Sequence, residues 1–174
     1  MKPQGQGVQA TPSPKVTDLL VLDGVTKVFP GVRALDDVGF TVRSGEVHGL
    51  VGENGAGKST LMAVASGALV ADEGKVLLAG AAVRGNPQHV RELGLAIVRQ
   101  EPALMPDLSV AENMWLGVPE RARPPLGAIV AWATHLLGRW NDQAHIDPRT
   151  RVASLGPEER FTVEIVKALA ASPR

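Results

Sequence analysis

The sequence has no cysteine, no net charge and no long apolar run, and each absence excludes a class of function. Without cysteine there are no disulfides and no thiolate metal sites, a composition that suits a cytoplasmic protein. Lysine plus arginine and aspartate plus glutamate both number 18, so no global field recruits nucleic acid or acidic lipid, and any anion binding is local. The longest apolar stretch, Leu126 to Leu137, falls well short of the roughly 20 residues that span a bilayer. It reads as a buried or half-buried helix, or as a helix that touches a membrane-embedded partner. Residues 1–18, rich in Gly, Gln, Pro, Ser and Thr, read as a flexible tail rather than a signal peptide or membrane helix. No internal repeat is visible.

What is present is an ordinary globular composition, 44% hydrophobic and 21% charged over 174 residues, enough for a domain with a core. Its most informative stretch is Gly52-Glu53-Asn54-Gly55-Ala56-Gly57-Lys58-Ser59-Thr60, which fits the phosphate-loop pattern G-x-x-x-x-G-K-[ST] at every defined position. The context agrees: Gly45 to Val51 has the apolar character of a buried strand, and Lys58 to Ala68 places Leu61, Val64, Ala65 and Ala68 on one helical face. Gly52, Gly55 and Gly57 permit a tight turn whose amide N–H groups converge on phosphate oxygens, and the helix adds the positive end of its dipole. Lys58 is placed to reach the β- and γ-phosphates of a nucleotide, and the Ser59 hydroxyl to ligate Mg²⁺.

Around that loop the pattern alternates between strands and turns. Leu19 to Phe29 and Val38 to Val42 read as strands, separated at Pro30-Gly31, and Lys75 to Leu78 as another. Asp72-Glu73-Gly74 is a turn. Asn86-Pro87 opens a helix, and Leu95 to Val98 is a short apolar strand that delivers Gln100 at its C-terminal end, where α/β folds bind ligands. The second half is helical. Ser109 and Glu112 fit a capping box, and Pro157 with Glu158 and Glu159 opens a helix whose apolar face is Phe161, Ile165, Val166, Leu169 and Ala170.

Four segments, LDGVTKVFPGVRALDDVGFTV, GLVGENGAGKSTLM, IVRQEPALMPDLSVAENMWLG and VEIVKAL, stand in the order and spacing of an ATP-binding cassette (ABC) ATPase. The chain most resembles the first cassette of bacterial monosaccharide or nucleoside importers. The resemblance implies an α/β phosphate-loop fold of the ABC type, with a strand-rich N-terminal part, a parallel core sheet and a helical subdomain. The implied division is an ATP-binding part over 19–103 and a helical subdomain over 104–174. It further implies that Phe29 stacks on adenine, with Val32 and Ala34 beside it. Gly52, Asn54, Gly55, Ala56, Gly57, Lys58, Ser59 and Thr60 are then the ATP-binding loop. Gln100 becomes the glutamine that reaches Mg²⁺ and the attacking water, and residues 101–108 face the permease. On the residues alone, Phe29 also reads as the last core residue of its strand, and Gln100 as a solvated loop amide. The implied partners are a second cassette, transmembrane permease subunits and, indirectly, a periplasmic or lipoprotein substrate-binding protein, without nucleic acid. The implied location is peripheral, on the cytoplasmic face of the plasma membrane.

Two departures qualify the resemblance. Where the family has its signature motif this chain reads Leu155-Gly156-Pro157-Glu158-Glu159, with Gly156 at the serine position and Glu158 at the glycine position, which loses a hydroxyl donor and adds a repelling carboxylate. The family's next segment, the Walker B strand ending in Asp-Glu, is not among the 174 residues. The expectation is therefore an ATPase by resemblance whose 174 residues alone bind nucleotide weakly and turn over negligibly. The alternative is a truncated or degenerate cassette that serves as a non-hydrolysing regulatory module. An unrelated phosphate-loop kinase would need neither the Gln100 segment nor VEIVKAL.

Overall fold

The computed structural model describes residues 17–140 and 145–171. The tail expected over 1–18 falls outside the described residues as far as position 16, and Asp18 already opens the first strand. Strand β1 (Asp18–Phe29) turns at Pro30–Gly31 into β2 (Val32–Arg43), with Phe29 paired to Val32 and Leu20 to Val42. Gly31 holds a φ of 78°, the left-handed conformation that so short a turn requires. Strand β3 (Glu73–Leu78) pairs with the other edge of β1, and the two-residue β4 (Ala81–Ala82) with β3, for a sheet order β2-β1-β3-β4.

Every one of these pairings is antiparallel, so the parallel core expected from the resemblance is not present among the described residues. The segments expected to form it, Gly45 to Val51 and Leu95 to Val98, belong to no sheet. An apolar run supplies side chains for burial, but a strand also needs at least one neighbouring strand to pair its N–H and C=O groups. Neither segment has such a neighbour here, and Val47 and Val51 stand 99% and 90% exposed.

The apolar residues divide between two clusters. In the first, Leu22, Val25, Leu35 and Val76 of the sheet bury Leu61, Val64 and Ala65 of helix α1 (Lys58–Ala65). A short helix α2 (Pro87–Glu92) follows, with the Asn86 Oδ1 accepting from Gln88 N and His89 N and Pro87 at its first position, as the sequence predicts.

The second cluster joins α3 (Val110–Gly117), α4 (Ile129–Trp140) and α5 (Pro157–Ala170) through Val110, Met114, Ala133, Leu137, Val163 and Val166. The capping box of α3 is formed: Glu112 N donates to Ser109 Oγ at 3.2 Å and Ser109 N to Glu112 Oε2 at 2.8 Å. The apolar stretch from Leu126 begins as a 3₁₀ turn over Leu126–Ala128 before α4 proper. Helix α5 buries Val163, Glu164 and Val166, while Phe161 and Leu169 stay exposed, so its inward face is rotated from the one expected. The periodicity admits both faces; packing against α3 decides between them.

Candidate phosphate-binding site

The loop from Gly52 to Gly57 leads directly into α1, whose first turn carries no acidic residue and no side-chain cap. The first amides of α1 therefore keep their donors, and its positive dipole end is uncompensated. Gly57 caps the helix with φ 80°, and a Cβ there would lie 2.3 Å from the Ala34 carbonyl oxygen. Only glycine satisfies both constraints. This close approach sets the loop against β2 and brings Ala34 to it.

Lys58 is half-buried, and its Nζ donates to the carbonyls of Gly52 at 2.7 Å and Glu53 at 2.6 Å. The ammonium thus bends back over the loop and binds partial negative charge where an anion would be held. Among the described residues the Ser59 hydroxyl makes no hydrogen bond. Asn54, Gly55, Ala56 and Ser59 are exposed and Thr60 is half-buried, so the loop is open to a ligand. Free amides, a cation and an unpaired hydroxyl suit a triphosphate with its magnesium ion. Among the described residues no group of three His, Asp or Glu side chains forms a metal site.

Below the loop, Glu46 accepts from Arg43 N at 2.8 Å and meets His48 Nδ1 at 3.2 Å, and the His48 ring stacks on Phe40. The Arg43 N–H, and secondarily His48, hold the Glu46 carboxyl below its ordinary pKa.

Phe29 ends β1 with its ring 37% exposed, beside the exposed Val32 across the turn. Lys27 Nζ lies 5.7 Å from the centre of that ring and is paired at 2.9 Å with Asp72 Oδ1, whose other oxygen accepts from Val28 N at 2.7 Å. These two donors, the Val28 N–H first, depress the Asp72 pKa. By sequence Asp72 reads only as a turn residue, and Lys27 carries no functional signal of its own. The signal available was the alternation that puts Lys27 and Phe29 on one face of β1.

Gln100 lies in an exposed bend and makes no hydrogen bond to the phosphate loop among the described residues. The β1–β2 hairpin pairs Phe29 with Val32 and sets Ala34 against Gly57 of the loop. Sequence reasoning also missed Asn113. Buried to 4%, it accepts from Met105 N at 2.7 Å and donates to the carbonyls of Met105 and Ser109, both at 3.0 Å, fixing the segment that follows Gln100.

A glycine-rich loop closed onto an uncapped helix, with a lysine folded over it, defines a phosphate-loop nucleotide-binding cassette. Residues 35–174 match the family model described as ABC transporter, and the chain belongs to that family, whose ATPases bind ATP. It is 51% identical over 153 residues to the arabinose import ATP-binding protein AraG 2 of Burkholderia thailandensis, an alignment covering 86% of this chain and 29% of that protein. It is 47% identical over 152 residues to the ribose import ATP-binding protein RbsA 2 of Rhizobium etli, covering 87% and 30%. The chain thus spans about three tenths of the length of these relatives. Among solved structures, a nucleotide-free ATP-binding cassette from an ABC transporter superposes with a TM-score of 0.71 at 27% identity, covering 90% of this chain and 66% of that one.

Proposed function

We propose that this chain is the ATP-binding front part of a carbohydrate import ATPase. The observation that carries the reading is the loop itself: Lys58 folds back on the Gly52 and Glu53 carbonyls at the start of a helix whose first turn has no side-chain cap and no acid. The sugar-import names of relatives at 51% and 47% identity support the carbohydrate class. In this reading Lys58 holds the β- and γ-phosphates and the glycine-loop amides share their charge. Ser59, with Gln100 when the loops close, holds Mg²⁺, and Phe29 stacks on adenine beside Val32 and Ala34. Bound Mg²⁺ would supply charge neutralisation at the terminal phosphates.

The two apolar clusters support a division near residue 103 into a nucleotide-binding part, 19–103, and a helical part, 104–174. The partners are a second cassette and transmembrane permease subunits, with a substrate-binding protein acting through the permease. The place of work is then the cytoplasmic face of the membrane. No described helix is long and apolar enough to cross one itself.

The test is ATP titration of the 174-residue chain with and without Mg²⁺, beside Lys58→Ala. Binding that tightens with Mg²⁺ and weakens at least about tenfold in the variant is expected. Equal binding by the two proteins would remove the reading.

A further inference from the structure

The segment that follows the Gln100 loop is held at Met105 by Asn113, and the loop itself by a single side chain among the described residues. Among the described residues, the only hydrogen bond reaching residues 99–103 is donated by Lys167 Nζ on α5 to the Ala103 carbonyl, at 3.0 Å. Lys167 is held for this by Glu164, one turn earlier on the same helix, with 2.5 Å between Nζ and Oε2. Glu164 is 3% exposed and the Lys167 side chain 15%, so the pair is largely withdrawn from water, and removing one partner would leave the other's charge uncompensated. Gly117 on α3 makes the room: a Cβ there would come within 2.4 Å of the Lys167 Cγ. The pair lines a cavity of about 1030 Å³ together with Arg99 and Ala103, so the loop has open space on that side, while Leu104 just beyond it packs against the helical cluster.

We propose that Glu164 and Lys167 form a latch by which α5 positions the Gln100 loop. Both latch residues lie on one turn of a helix whose first residues are the altered signature, Gly156 to Glu159. A shift of α5 carries the Ala103 carbonyl, and with it Gln100 three residues away. The latch rests on the proposed nucleotide function for its purpose, and on the hydrogen bonds alone for its existence. Glu164 and Lys167 are positioning residues and touch no nucleotide.

The absence of native cysteine allows clean spin labelling. Labels at Glu101→Cys and Leu169→Cys, both exposed positions, measure the distance between the loop and α5 in the 174-residue chain. The starting protein and its Lys167→Arg variant, which keeps a donor for both partners, are expected to give one narrow distribution. The double variant Glu164→Gln/Lys167→Met, which strands no buried charge, is expected to broaden it at least about twofold. An equally narrow distribution in the double variant overturns the latch.

A second readout separates positioning from bulk stability. In the unlabelled chain, the factor by which Mg²⁺ tightens ATP binding is expected to fall equally in Gln100→Ala and in the double variant, and no further in the triple variant. A double variant that keeps the full Mg²⁺ effect while Gln100→Ala loses it also overturns the proposal. If Lys58→Ala binds ATP like the starting protein, the nucleotide reading fails, and the distance measurement still decides the latch.

Discussion

The Ala34 carbonyl oxygen packs so closely against Gly57 that a Cβ at position 57 would approach it to 2.3 Å, at a φ of 80° that side chains rarely adopt. Gly57→Ala must therefore displace either the loop or the β1–β2 hairpin. We expect a loss of about 1–3 kcal/mol in stability and at least a tenfold loss of ATP affinity, read by thermal melting and by titration. A variant that melts and binds like the parent contradicts this.

Phe29 ends β1 37% exposed and lies outside both buried clusters, so its removal leaves the core almost intact. Phe29→Ala is expected to weaken ATP binding by about 1–3 kcal/mol with a melting temperature close to the parent's, and Phe29→Trp to retain binding. A large drop in stability together with unchanged affinity would instead make Phe29 a core residue.

Asp72 ties the end of β1 to the turn before β3 through Val28 N and Lys27. Its folded pKa is depressed, so its contribution is fully present above the unfolded carboxyl value of about 3.9 and is lost as pH falls through the lower folded value. Asp72→Asn should therefore melt below the parent at pH 5 to 7, and the gap should close on the acid side of about pH 4. Melting curves from pH 3 to 7 check the sign; a gap that widens towards acid would reverse it.

Asn113→Ala leaves the Met105 N–H without its acceptor, in a part-buried setting, and frees the carbonyls of Met105 and Ser109. The expected loss is about 2–3 kcal/mol in urea unfolding. Asn113→Asp keeps the acceptor but sets a carboxylate against those carbonyls, so it is not expected to rescue. Full stability in either variant would show that the 105–109 segment is held elsewhere, by its backbone bonds to residues 152 and 153.

Much of this was legible in the chain, because its signals are local. The phosphate loop, the capping box of Ser109 and Glu112, the Asn86–Pro87 helix start and the Pro30–Gly31 hairpin turn each act over a few residues, and each is found where its residue types place it. The helix starting at Pro157 was equally plain, but its inward face was not: Glu164 points in and Phe161 out, because a partner across the interface and a lysine one turn on decide which side is buried.

The sequence by itself determined the family, through four motifs in register, and placed the glycine, lysine and serine of the loop at the start of a helix. Only the tertiary structure decided that Ala34 abuts Gly57, that Asp72 braces the strand carrying Phe29, and that Lys167 reaches across 64 residues of chain to the Gln100 loop. It also decided that Gly45 to Val51 and Leu95 to Val98 stand outside the described sheet. Spacing along the chain encodes conformation and local capping, whereas a strand or a buried ion pair exists only when another part of the fold supplies its hydrogen-bonding partner.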